Sequence, residues 1–351
     1  MGGGMAYRKS NGKLSRRKKM EPAVMTFTFN VQVPETSTVT HYIDLSQCAS
    51  IANRRFYRQG INWPVGGIKL LSTPVLNSGS LNGSLRIQKL PETWVMKNAY
   101  TKSFNAWMDM NEKALEDEQE SLKPRFMDFK IYADTGHHTA GFDANLLPVN
   151  SLGVPATAGE WESSKIVVPT SITAGTVNSF ELIATGASFP GASAATGINA
   201  VSLIEGYAAS RALPYENDPN TPLDANDVGP TAEPENWMGA MRNEGTGQVS
   251  AVIADNTTEN DQAPYPYEGD GTATDTQYPG GANQLPGLQI HDIDFITGTT
   301  IGGTTRSKGG MFPCGLIALT FTNLDTVACD HTIQIDMIPG DHRGYLCEPM
   351  V

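Results

Sequence analysis

The chain has 351 residues, of which 39% are hydrophobic and 18% charged, with 35 Gly and 22 Pro. That balance favours many short strands joined by turns over helical packing, and it fits one all-β domain with long loops. The net charge of −12 argues against a surface that binds polyanions everywhere.

The charge is unevenly spread. Residues 1–20 hold Arg8, Lys9, Lys13, Arg16, Arg17, Lys18 and Lys19 with no acid, which leaves 18 bases against 37 acids, a net −19, on the other 331 residues. A basic tail on an acidic body is the pattern of a nucleic-acid-binding arm. With almost nothing to bury, residues 1–20 are expected to be disordered. The polar, basic start lacks the apolar stretch of a signal peptide, and no apolar run reaches the length of a membrane span. Cys48, Cys314, Cys329 and Cys347 form no CxxC pair, so neither a zinc site nor a disulfide framework is expected, and a reducing compartment is the default.

From Val24 to Val33 apolar and polar residues alternate with the period of a half-buried strand, and Thr38–Ile43 continues in the same style. Asp44 is placed to cap a helix running to about Tyr57, with Leu45, Cys48, Ile51, Ala52 and Phe56 on one face. Further strands are expected at Ile68–Leu71, Ser84–Leu90, Phe126–Tyr132, Lys165–Pro169, Phe180–Thr185, Val201–Tyr207, Val249–Ile253, Leu288–Ile296, Leu316–Phe321 and Thr332–Ile338. A long helix interrupts them from about Trp94 to Leu122, with Tyr100, Phe104, Trp107, Met108 and Leu115 as its apolar stripe and Pro124 as its stop. Residues 212–280 hold 13 acids, one base (Arg242) and eight prolines; apart from Val249–Ile253 and a helical turn near Trp237–Met241 they read as surface projections. Gly298–Gly310 reads as a flexible connection. The whole predicts a single jelly-roll β-sandwich over residues 21–351, with one or two inserted helices and long surface loops.

Several segments carry a resemblance. Thr26-Phe-Thr-Phe-Asn-Val31 follows the basic arm, then Tyr42-Ile-Asp-Leu-Ser46, Asn53-Arg-Arg-Phe-Tyr-Arg-Gln-Gly60, and Leu90-Pro-Glu-Thr-Trp-Val95 opening the helix with Lys97-Asn-Ala-Tyr100 and Phe104-Asn-Ala-Trp107. This order resembles the capsid proteins of circular Rep-encoding single-stranded DNA (CRESS-DNA) viruses of the circo-like and environmental groups. The likeness is best over residues 7–135 and looser at Glu205–Arg211 and Pro339–Tyr345. Circovirus arms are usually longer and richer in Arg. The resemblance implies a jelly roll, self-assembly of copies of this chain into a small icosahedral shell, favoured as T=1, and packaging of single-stranded DNA. It places the chain in the virion, and in the host nucleus during assembly.

The arm's seven cations suit phosphate, because counterion release needs charge and reach but no fixed geometry. Arg16, Arg17, Lys18 and Lys19 also read as a nuclear-import patch, with an import receptor as partner. Arg54, Arg55 and Arg58, interleaved with Tyr57, form a second candidate cluster that would pair with and stack on a nucleic-acid strand; the competing reading is a solvated helix end. Asp134-Thr-Gly136 matches the aspartic-protease triplet but lacks a second copy, and a turn is favoured. His137 and His138, taken as strand neighbours, face opposite ways and cannot share a metal. Asp292 and Asp294 share a strand face without the further ligands of a catalytic metal; a hard cation at a subunit contact is the alternative, and a solvent-facing strand edge is the plainer reading. Cys329 and His331 have no orienting third group. Neither a catalytic constellation nor a metal or cofactor site is expected. The rival readings are a cellular acidic β-sandwich chaperone or binding module, and a jelly-roll enzyme or sugar-binding protein.

Overall fold

The structure, a computed structural model, describes residues 21–75, 81–116, 127–169, 177–211, 287–298 and 303–350. The basic arm and the acidic stretch at 212–280, with the elements expected at Val249–Ile253 and Trp237–Met241, lie outside the described residues.

Strands β1 (Thr26–Val33), β2 (Thr38–Asp44), β3 (Ile61–Pro74) and β4 (Asn82–Lys89) come from the first quarter of the chain, and β8 (Gln289–Thr297), β9 (Thr304–Phe312), β10 (Leu316–Asn323) and β11 (Cys329–Met337) from the end. They interleave in two antiparallel sheets. One runs β1-β11-β3-β9 and the other β2-β10-β4-β8. Alternation in the strands sets what each face meets. Phe27, Phe29, Ile333 and Ile335 of the first sheet and Leu85, Ile87, Ile317 and Leu319 of the second share one buried cluster, so the sheets pack face to face.

The strand β10 begins with an unbroken buried run, Leu316-Ile-Ala-Leu319, as expected of a strand covered on both faces. Ile317 and Leu319 point between the sheets, while Leu316 and Ala318 enter a second core with Tyr42. That second core belongs to a layer built from the residues between β4 and β8. It contains α2 (Trp94–Glu116), α3 (Thr135–Ala140), α4 (Leu203–Arg211) and a small sheet of β5 (Lys165–Pro169), β6 (Val177–Ile183) and β7 (Ala200–Ser202). Val95, Met96, Ala99, Tyr100 and Trp107 of α2 and Phe180 and Leu182 of β6 are buried in it. The helix α1 (Leu45–Asn53) connects β2 to β3, and three two-residue strands, β12 (Pro339–Gly340), β13 (Gly344–Tyr345) and β14 (Glu348–Pro349), close the chain. The inserted layer is thus richer than the expected one or two helices.

Asp44 joins the layers. It is fully buried and caps α1 by accepting from the backbone N–H groups of Ser46 at 2.9 Å and Gln47 at 3.3 Å. It also accepts from the Ser46 hydroxyl, from Gln59 Nε2 at 3.0 Å and from Trp161 Nε1 at 3.0 Å. Burial pushes its carboxyl pKa up, and these donors oppose the shift.

Four expectations are corrected. α1 stops at Asn53 rather than near Tyr57, because Arg54 adopts the left-handed conformation (φ 51°, ψ 44°) with its N–H and that of Arg55 turned back to Ile51 O and Ser50 O. In the stretch expected as a strand at Phe126–Tyr132, the described residues carry only an isolated bridge, Tyr132 to Ile183. The run Val201–Tyr207 leaves strand β7 after Ser202 and becomes helix α4. Most of the supposed flexible connection at Gly298–Gly310 is strand β9, paired with β3 from Trp63–Phe312 to Leu71–Thr304. There Gly309 permits close approach: a Cβ on it would press into Val65 O and Gly66 O.

Candidate nucleic-acid interface

The root of the arm is fastened to one corner of the sandwich. Val24 N–H donates to Asn53 Oδ1 at 2.9 Å, and Val24 O accepts from the Tyr345 hydroxyl at 2.6 Å. Glu21 pairs with Arg55 at 2.9 Å, and the same guanidinium reaches Pro22 O at 3.3 Å. The described chain therefore begins beside the C-terminal end of α1, two residues after Lys19.

That corner is basic. Arg54 is exposed there, and Arg343 donates to Phe56 O from the facing hairpin; Arg58, also exposed, acts instead on Asp128 and Tyr100 of the inserted layer. The carbonyl end of α1 favours cations there. Arg55 is half-buried and already tied to Glu21, so its charge is partly spent in the body. Tyr57 overturns one expectation. It is fully buried, its hydroxyl donates to Arg343 O at 2.9 Å, and its ring packs on Trp63 and Tyr345. It is core, and offers no stacking platform to a nucleic-acid base.

The seven arm cations, Arg8, Lys9, Lys13, Arg16, Arg17, Lys18 and Lys19, lie outside the described residues. No protein-family model, curated protein or solved structure matches this chain.

The remaining candidates are absorbed by the fold. Asp134 is the N-cap of α3, accepting from His137 N–H at 2.8 Å. Its short helix replaces the expected turn, and it places His137 and His138 on a helix instead of a strand. His137 accepts from Ala133 N–H on Nδ1 at 3.1 Å, sits 2.8 Å from Asn145 Oδ1 through Nε2, and stacks on Tyr42. Burial pushes its pKa down to about 3. Asp292 accepts from Lys308 N–H at 3.2 Å, and Asp294 accepts from the Ser307 hydroxyl. With His291 Nε2 3.0 Å from Lys308 O, they stitch β8 to β9 where the two sheets meet, so they are not a bare solvent-facing edge. Cys329 contacts Val327 O, while His331 bonds Ser72 Oγ through Nδ1 at 2.8 Å; the two residues serve separate contacts. Among the described residues no three His, Cys, Asp or Glu side chains converge as a metal site, and no helix is long and apolar enough to cross a membrane.

Proposed function

We propose that this chain is the shell subunit of a small icosahedral virus, folded as a single jelly roll and packaging single-stranded DNA on its basic arm. The observation that carries the reading is the strand order. Two facing antiparallel sheets, β1-β11-β3-β9 and β2-β10-β4-β8, each alternate strands from the two ends of the chain, which is how a rolled-up Greek-key ribbon distributes its strands. The arm joins the body at a corner bearing Arg54 and Arg343, so phosphate held by Arg8 to Lys19 would meet further cations at the wall. The acidic remainder of the chain disfavours nucleic acid elsewhere. The DNA assignment and the group of viruses rest on the resemblance of residues 7–135.

The purified full-length protein is expected to form closed spherical particles at neutral pH and moderate salt, with T=1 dimensions. Negative-stain microscopy with light scattering checks this. A population made only of monomers or small rings would remove the shell reading and favour a chaperone or binding module.

A further inference from the structure

On the side of the inserted layer, a cavity of about 390 Å³ opens between β6, the 3-10 turn at Phe142–Ala144 and the segment leading into β5. Its size suits a small ligand, at the low end of such sites. Tyr132, Phe142 and Trp161 supply its aromatic wall, and Tyr132 and Phe142 are themselves fixed in a small buried cluster with Ile183 and Ala200. Trp161 packs against that cluster and is further held by its Nε1–H bond to Asp44 and by Lys130 Nζ 4.4 Å from its ring centre.

Among the described residues, the charge facing the cavity is predominantly negative. Asp143, Glu160 and Glu162 are exposed at its rim, and Glu181, only 1% exposed, lies deeper. Lys165, the one cation among the described lining residues, stands 4.0 Å from Glu162. Glu181 is set in place by Ser163 Oγ at 2.8 Å on one oxygen and Thr196 Oγ1 at 2.9 Å on the other. His138 Nε2 is 3.0 Å from Glu181 Oε2, without the alignment of a hydrogen bond. Burial opposes ionisation of Glu181, yet these neighbours bring its pKa below the usual carboxylate value. An anchored carboxylate beneath rigid aromatic walls and an acidic rim complements a cation with a flat or alkyl body. The π-faces attract the positive charge and the carboxylate accepts its N–H donors.

We propose that this cavity binds an organic cation bearing a guanidinium or primary ammonium group. The site is separate from the basic corner, and the inference stands whether or not the chain forms a shell. Calorimetric titration of the full-length protein tests it with three probes. Putrescine represents a free diamine, acetyl-arginine amide represents an arginine side chain presented by a protein, and 1,4-butanediol is the neutral control. At least one cation is expected to bind at one site per chain while the diol does not, and the tighter of the two identifies the source. The exposed double variant Glu160→Gln/Glu162→Gln should weaken binding at least about tenfold by removing two of the four facing carboxylates, and Glu181→Gln should abolish it. Should Glu181→Gln fail to fold, the rim variant decides alone. Cations that bind no tighter than the diol, or undiminished binding to the rim variant, would overturn the proposal.

Discussion

Arg54 occupies the left-handed backbone region that ends α1, where a side chain costs about 1 kcal/mol relative to glycine. Arg54→Gly is therefore expected to raise the thermal midpoint slightly. If its charge also meets nucleic acid, the same variant should lower affinity for single-stranded DNA, so stability and binding move in opposite directions. A filter-binding titration beside a melting curve checks both. His331 makes a second residue-scale prediction. Burial holds its pKa down at about 4, so the native state binds fewer protons than the unfolded chain between about pH 6.5 and 4. Its contribution is present above pH 6.5 and is lost as the pH falls through 4. His137 acts with the same sign. Asp128, whose pKa burial pushes up to about 6, acts with the opposite sign and gains stability as it protonates. His331→Gln should reduce the drop in urea midpoint between pH 7 and pH 4.5, and an unchanged drop would show that His331 titrates normally in the fold.

Elements whose own residues alternate were legible, and those specified by their partners were not. β1, β2 and β5 read directly from sequence because each alternates or is flanked by turn residues. β9 is Gly- and Thr-rich, its side chains mostly half-buried, and its place is dictated by the fit of Gly309 against β3. Gly309→Ala should therefore destabilise the protein by about 1–3 kcal/mol, read from a denaturant curve, although the same change on an open strand surface would be nearly neutral. The stretch before Tyr132 misled in the other sense. Phe129 and Ile131 are buried as a strand's residues would be, but the backbone of Ile131 is satisfied by the Gln59 side chain at 2.6 and 3.1 Å, and the stretch meets β6 only through the bridge at Tyr132. No local pattern announces a partner 72 residues away. At the candidate interface the limit was similar. The charges of Arg54, Arg55 and Arg58 were visible in sequence, while the burial of Tyr57 depends on Trp63 and Tyr345, one of them nearly three hundred residues distant.

At the scale of the whole molecule, the basic arm and the sandwich are separable in the proposed reading. β1 starts at Thr26 and the fastening contacts begin at Glu21, so deleting residues 1–20 should leave shells able to close. Their nucleic-acid content should fall, seen as a lower 260/280 absorbance ratio. Binding by the intact chain should weaken with salt at about 0.7 logarithmic units per phosphate contact on single strands. Shells of the truncated chain that package a full complement would move the genome-binding role to Arg54, Arg55 and Arg58. The pairing of β1 with β11 has a consequence in time. Thr26 lies opposite Asp336 and Val33 opposite Cys329, and β2 likewise waits for β10. A ribosome adding about 5–20 residues per second needs roughly 15–60 s to make the roughly three hundred residues between such partners. Throughout that interval the cations of the arm are already synthesised, while β11 and β10, which join β1 to β3 and β2 to β4, are not. In the proposed shell, each nascent subunit can meet a polyanion before it has a wall with which to enclose one.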